Sequence, residues 1–323
     1  MNILVTGGAG YIGSVCVEQL LNRGFNVVVV DNLSEGHRDA VDTRAVFVEA
    51  NIEDSDAIGA VFKKHSIDAI MHFAALALVG ESMEQPGRYF KNNVYGALNL
   101  LETGRIAGIK KFIFSSTCAT YGMPERVPIT EDLPQNPLNP YGESKLMFEK
   151  ILSWYNKIYG LEFVALRYFN AAGATEKFGE DHKKETHLIP NVLKVVLGKK
   201  EVCEIYGTDY PTPDGTCIRD YIHIYDLVTA HIAALKPGIV GFYNLGNGDG
   251  YSVKEVINMC EKVTGKKIPA IERPRRPGDA PKLIAKADKA HCDLNWKPQY
   301  PSLEKIVSSA WEWHRKHPDG YKR

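Results

Sequence analysis

The residues Gly7-Gly8-Ala9-Gly10-Tyr11-Ile12-Gly13 satisfy two glycine spacings at once, Gly7-x-x-Gly10-x-x-Gly13 and Gly8-x-Gly10-x-x-Gly13. Glycine at these places permits a tight turn, close approach of a pyrophosphate to the backbone, and close helix–strand packing. The run follows the apolar Ile3-Leu4-Val5 and opens a helical pattern near Tyr11, whose free amides would face the phosphates. Asp31 lies 18 residues beyond Gly13 and ends the Val27–Val30 run. Its carboxylate can accept hydrogen bonds from an adenosine ribose, whereas a 2′-phosphate there would meet like charge. The combination predicts NAD rather than NADP. The plainer alternative is that Asp31 only caps a strand-end turn with Asn32.

A second constellation carries proton chemistry. Pro140-Tyr141-Gly142-Glu143-Ser144-Lys145 places Tyr141 and Lys145 four residues apart, on one face of a helix. A phenol titrates near 10, so a base working near neutrality needs a cation beside it; Lys145 is expected to lower the Tyr141 pKa and to reach a cofactor ribose. Ser115-Ser116-Thr117 follows the apolar Phe112-Ile113-Phe114 at the carboxyl end of a strand candidate, where ligands bind in open α/β sheets. A hydroxyl there, Thr117 above all, can hydrogen-bond a substrate oxygen. A polar cap on a strand end would account for one or two of these hydroxyls.

The elements that must position these groups alternate in kind. Ile3–Val5, Val27–Val30, Ala45–Val48, Ala69–Met71, Phe112–Phe114 and Phe163–Leu166 are short continuous apolar runs, as expected of strands covered on both faces. Helical patterns lie between them at about 12–24, 54–65, 84–107 and 141–159. The alternation predicts an α/β fold, a Rossmann-type doubly wound parallel sheet over residues 1–174. Beyond it, frequent prolines divide residues 175–323 into short elements, read as a smaller mixed α/β substrate-binding lobe. A segment near 218–247, with the strand candidate Gly241–Leu245, is free to rejoin the first sheet.

Composition narrows the function classes. The chain has 323 residues and equal numbers of Lys+Arg and Asp+Glu, 39 each, so no overall field attracts nucleic acid or an anionic membrane. An acidic ligand must be held by a few local cations. The six cysteines are scattered with no Cys-x-x-Cys pair, which predicts reduced thiols in a cytoplasmic protein. No apolar stretch approaches the roughly 20 residues that span a bilayer, and the N-terminus lacks a signal-peptide pattern. His72, His182 and His223 are not spaced as a ligand set, so no metal is expected.

Taken together with Val79-Gly80-Glu81-Ser82, Asn92-Asn93-Val94, Arg167-Tyr168-Phe169-Asn170, Gly215-Thr216-x-x-Arg219-Asp220-Tyr221-Ile222-His223 and Arg275-Arg276-x-Gly278-Asp279, the sequence resembles the UDP-glucose 4-epimerases of the extended short-chain dehydrogenase/reductase superfamily, essentially from end to end. The resemblance implies that Gly7, Gly10, Tyr11, Ile12, Gly13, Asp31, Asn32, Asn51, Ile52, Phe73, Ala74, Ala75, Asn92, Tyr141, Lys145 and Phe169 hold NAD. It implies that Thr117, Tyr141 and Lys145 are catalytic, and that Thr117, Asn170, His187, Leu188, Tyr206, Arg219, Arg276 and Asp279 hold a UDP-sugar. The implied reaction is reversible C4 inversion between UDP-galactose and UDP-glucose through a 4-keto intermediate, by a homodimer built on the helices at about 84–107 and 141–159. Arg219 and Arg276 suit a diphosphate as fork-shaped donors; ion pairing to Asp220 or Asp279 is the plain alternative. The sequence departs from the family pattern at Ala77, where many relatives carry lysine, and at Asn51, Thr117 and His187. Leu283 stands where some relatives have a tyrosine, which leaves room for N-acetylated UDP-hexoses. A 4,6-dehydratase would place an Asp-Glu pair after Thr117, but Cys118-Ala119-Thr120 stands there. UDP-hexuronic acids remain open as substrates, and an NAD sensor without catalysis would need neither Tyr141 nor Lys145.

Overall fold

The computed structural model describes residues 1–276 and 278–322. Its first half runs β1 (Asn2–Thr6), α1 (Tyr11–Asn22), β2 (Asn26–Asp31), β3 (Val46–Glu49), α2 (Ser55–Lys64), β4 (Ala69–His72), α3 (Val79–Glu84), α4 (Pro86–Phe90), a π-helical turn over Lys91–Gly96, and α5 (Ala97–Ile106). Then come β5 (Lys111–Thr117), α6 (Pro140–Tyr159), β6 (Glu162–Tyr168), β7 (Asn170–Ala172), α7 (Leu188–Val196), β8 (Cys203–Tyr206), β9 (Ile218–Arg219) and β10 (Tyr221–His223). The chain ends with α8 (Ile224–Ala233), β11 (Gly241–Leu245), β12 (Tyr251–Ser252), α9 (Val253–Thr264), β13 (Ala270–Arg273), β14 (Lys282–Leu283), α10 (Asp288–Asp293) and α11 (Leu303–Lys316).

Seven strands form one parallel sheet in the order β11-β6-β5-β4-β1-β2-β3. The apolar runs of the sequence are continuous because both faces are covered. Ile3, Val5, Val29, Met71, Ile113 and Val164 enter one core with α1 and α8, while their neighbours Leu4, Val28, Ile70, Phe112 and Phe163 enter the other with α2, α5 and α6. The chain leaves β1 for β2 and β3, then returns to the other side of β1 with β4. This reversal opens a crevice at the carboxyl ends of β1 and β4. The doubly wound α/β fold is therefore as expected.

The helix expected at about 84–107 differs. Pro86 disfavours helical geometry at the residue before it, and Gln85 breaks the chain at φ −131° and ψ 59°. The following turn widens to π geometry over Lys91–Gly96 before α5 resumes, a feature often found where a site needs a side chain re-aimed. The helix expected at about 141–159 is α6. Asn139 caps it by accepting from the Gly142 amide at 2.8 Å, Pro140 starts it, and Gly160 ends it in left-handed geometry.

After β7 the strands are short, in pairs and a triplet: β10 with β7, β13 with β8, and β12-β9-β14. The apolar faces of α7, α9 and α11 meet there in a separate core around Val192, Val256 and Ile306. Between these pieces, α8 and β11 pack with the large sheet, β11 pairing with β6 from Gly241–Val164 to Leu245–Tyr168. No helix among the described residues is long and apolar enough to cross a membrane.

Three buried histidines are held neutral. Burial pushes His72 down to about 3, helped by the Lys145 charge, and pushes His223 and His231 down to about 4. Unfolded, each binds its proton near pH 6.5, so the unfolded state gains protons first as the pH falls. The stability they allow is fully present above about pH 6.5 and is lost towards pH 4. The thermal midpoint, followed by circular dichroism, is expected to decline steadily between pH 6.5 and 4; a flat profile would contradict this.

Candidate active site

The chain turns sharply where β1 ends. Gly7 has φ +73°, a conformation L side chains avoid, and a Cβ on Gly13 would overlap the Gly7 carbonyl. These two glycines are demanded by the protein's own packing. Gly10 is different: apart from the Gly7 oxygen at 3.3 Å, nothing lies near where its Cβ would stand. Its missing side chain leaves space at the start of α1, where no side chain caps the helix, so the first-turn amides stay available to an anion.

That space opens into a cleft of about 550 Å³ at the carboxyl ends of β1, β2 and β4. Gly7, Gly10, Asp31 and Asn32 line one side, and Asn51, Ile52, Phe73, Ala74, Ala75 and Asn92 line the rest. The expected NAD residues Tyr11, Ile12, Gly13, Tyr141, Lys145 and Phe169 stand off this lining. Ile12 packs on the core, Gly13 is buried against the turn, and the Tyr11 hydroxyl donates to the Gly173 carbonyl at 2.6 Å. Asp31 accepts from the Ala9 amide at 3.0 Å and the Leu33 amide at 2.9 Å. Its carboxylate thus ties the glycine turn to its own strand end and also edges the cleft. Burial raises its pKa while the two amides oppose. A cleft with free helix amides and the Asp31 carboxylate on its lining fits an adenine dinucleotide.

Tyr141 and Lys145 come from the first turns of α6. The π-turn supplies an anchor: the Asn93 side chain donates to the Leu76 carbonyl at 3.0 Å and to Ser144 Oγ at 3.1 Å, and accepts from the Leu76 amide at 2.9 Å. The Lys145 ammonium donates to the Ser115 carbonyl at 2.8 Å and lies 4.8 Å from the centre of the Phe114 ring. Burial lowers Lys145 to about 7, with the Glu149 charge opposing. Tyr141 is raised to about 12 by burial, against the opposing hydrogen bond of Thr117. This differs from the expectation that Lys145 depresses the phenol. The ammonium is 6.0 Å from the Tyr141 ring centre and is engaged with the strand carbonyl, so burial dominates both groups.

One network holds this face together, and the sequence pattern did not single it out. Arg167 of β6 meets Glu149 of α6 through Nε–Oε1 at 2.9 Å and Nη2–Oε2 at 2.6 Å, with both side chains almost wholly buried. Ser116 of β5 donates to Glu149 at 2.6 Å. Arg167 Nη1 donates to the Tyr121 hydroxyl at 2.8 Å, which donates to Asn244 of β11 at 2.8 Å. Glu149 follows Lys145 by one helical turn, and an i, i+4 row along α6 was the available signal.

The expected sugar-nucleotide residues fall in separate groups. Arg276 lies over the Tyr206 ring at 4.0 Å. Arg219 donates to the Ile218 and Ala280 carbonyls and meets Asp279 at 3.1 Å, whereas Asp220 instead accepts three backbone amides. Leu283 pairs in register with Arg219 and packs beside Cys118 and Phe169. Asn170 opens β7 in register with Tyr221. His187 immediately precedes Leu188, the first residue of α7, and its Nδ1 lies 2.8 Å from Glu180 and 3.1 Å from Glu185.

Residues 3–246 match the NAD dependent epimerase/dehydratase family. The chain is 53% identical to a UDP-glucose 4-epimerase of Halalkalibacterium halodurans, covering 99% of this chain and 98% of that protein. The crystal structure of UDP-glucose 4-epimerase from Bifidobacterium longum in complex with NAD+ and UDP is 40% identical, with a TM-score of 0.95 over 99% of this chain and 100% of that one. A UDP-Glc/GlcNAc 4-epimerase from Campylobacter jejuni is 42% identical, with a TM-score of 0.85 over 98% and 99% of the two chains.

Removing one partner of the buried pair strands a charge. Glu149→Ala is expected to lower stability by about 3–5 kcal/mol, and a Glu149→Leu/Arg167→Met double variant to recover much of that loss. Urea denaturation measures both; equal losses in single and double variants would show that the pair does not behave as a unit.

Proposed function

Since the chain belongs to the NAD-dependent epimerase/dehydratase family, we propose that it interconverts UDP-galactose and UDP-glucose by reversible inversion at C4, with NAD as its cofactor. The observation that carries this reading is one end of the sheet bearing both the cleft and the Tyr141–Lys145–Thr117 group, with Lys145 and Thr117 buried and Tyr141 partly so. NAD, when bound, supplies the acceptor and donor of the C4 hydride.

Tyr141 takes the proton of the sugar 4-hydroxyl, and Thr117 hydrogen-bonds the same oxygen. The C4–H bond and the O–H bond break together to leave a 4-keto sugar. Lys145 meets the cofactor ribose and keeps a positive charge beside the phenol as Tyr141 gains and loses its proton. Burial raises the Tyr141 pKa and the Thr117 hydrogen bond opposes it, so a phenolate there needs the Thr117 hydroxyl and the Lys145 ammonium to stabilise it. The neutral keto group then turns its other face to the cleft, and Tyr141 returns the proton to the oxygen. Arg219, Arg276 and Asp279, with Asn170, Tyr206 and Leu188, hold the UDP end fast while the hexose turns, whereas His187 Nδ1 faces Glu180 and Glu185. Residues 1–174, joined by the segment near 218–247, serve as the NAD side, and 175–323 as the UDP-sugar side.

Two finer assignments follow. The exposed Met147, Trp154 and Ile158 share one face of α6, with Met83 and Tyr95 exposed on the neighbouring helices; a second copy of the chain would cover this apolar area. Leu283, beside Arg219 and Cys118, leaves more room near the hexose than a tyrosine would and supports acceptance of N-acetylated UDP-hexoses.

Purified protein incubated with UDP-galactose is expected to form UDP-glucose, and Tyr141→Phe to slow this by about 10²–10⁴-fold with NAD content unchanged. No conversion by the NAD-bound wild type would overturn the assignment. Near-normal turnover by Tyr141→Phe would overturn the role of the phenol.

A further inference from the structure

We propose that Glu180, His182, Glu185 and His187 bind one divalent cation of the zinc type, which clamps the segment leading into α7. Histidine spacing alone does not mark this group, which joins two histidines to two glutamates. The signal was Glu180-x-His182-x-x-Glu185-x-His187, all within one short loop.

Each of the four offers one ligand atom, and these atoms all lie within 4.8 Å of one another. His187 Nδ1 is 2.8 Å from a Glu180 oxygen and 3.1 Å from a Glu185 oxygen. His182 Nδ1 is 3.4 Å and 3.3 Å from the same two carboxylates. A tetrahedral zinc with nitrogen and oxygen ligands at about 2.0–2.2 Å has ligand–ligand edges of about 3.3–3.5 Å. The nitrogen–oxygen distances lie at or inside that spacing, both imidazoles presenting Nδ1 and Glu185 turning a different oxygen to each.

The carboxylates themselves point to a ligand. The Glu180 side chain is only 5% exposed, and the nearest polar neighbours of its Oε1 are the Nδ1 atoms of His187, at 2.8 Å, and His182, at 3.4 Å. Glu185 is 3% exposed. Two carboxylates withdrawn from water need positive charge beside them, which the two imidazoles supply when protonated and a divalent ion would supply in their place. A divalent ion balances them while leaving both imidazoles neutral, and a mixed nitrogen and oxygen set of four suits zinc more than calcium or magnesium. Four protein ligands close a tetrahedral shell, so the ion is structural rather than a site for water activation.

Its place in the fold gives it work. The His182 ring meets the edge of Tyr11, the first residue of α1 after the glycine turn, with ring centres 6.2 Å apart. At the other end, His187 leads directly into α7. One ion would therefore tie the start of α7 to the helix that opens the cofactor cleft. The site stands without the epimerase reading.

The full-length protein, stripped with a chelator, loaded with zinc sulfate and desalted, is expected to retain about one zinc per chain by mass spectrometry. Its thermal midpoint should rise with zinc and fall back with chelator. His182→Ala and Glu185→Gln are each expected to weaken zinc binding by about 10–100-fold and to lose the midpoint response, while His291→Ala, outside the cluster, keeps both. Cobalt(II) should give the intense visible bands of a tetrahedral site in the wild type. A wild type that retains no zinc, and whose midpoint ignores zinc and chelator, would overturn the site. Full zinc retention by the folded Glu185→Gln and His182→Ala variants would overturn it equally.

Discussion

Arg167 and Glu149 are buried together where β5, β6 and α6 meet, and the chemistry at the sheet edge depends on that contact. The helix carrying Tyr141 and Lys145 could slide or rotate on an apolar interface with little penalty, because apolar contacts are not directional. A two-pronged guanidinium–carboxylate pair, shared with Ser116 and Tyr121, removes that freedom. It fixes α6 one turn beyond Lys145, so the ammonium reaches the Ser115 carbonyl and no other strand. Two further polar ties, from Asn93 to Ser144 and from Asn139 to Gly142, set the first turn.

The same packing decides the titration of the site. Burial raises the phenol and lowers the lysine, pushing both toward their neutral forms. The chain carries no net charge, so an anionic ligand would have to be met locally, by free helix amides or by cations such as Arg219 and Arg276, which Asp279 and Tyr206 already orient.

The doubly wound sheet was legible because strands buried on both faces leave unbroken apolar runs, as Ile3–Val5 and Phe112–Phe114 do. The cleft was legible because Gly7 and Gly13 are required by backbone geometry, and such requirements are written in residue type. Other features were not. The break at Gln85 depends on one proline inside a helical pattern, and the π-turn that follows has no compositional mark. The Glu149–Arg167 pair joins residues on different elements, and the i, i+4 row from Lys145 to Glu149 marks a helix face without showing which strand residue meets it. The expected effect of Lys145 on Tyr141 assumed that spacing on a helix face settles electrostatics, whereas the strand carbonyl under the ammonium and the depth of burial settle it instead. The four clustered side chains from Glu180 to His187 converge only because the loop folds back on itself.

The central claim is that hydrogen leaves C4 and returns to C4 within one closed site, with Tyr141 handling only the oxygen-bound proton. UDP-galactose carrying deuterium at C4, turned over in ordinary water in a mixture with unlabelled substrate, tests this most directly. The account predicts that the deuterium stays at C4 of the UDP-glucose formed, without dilution by solvent and without crossing to unlabelled molecules. Loss of the label to water would contradict it.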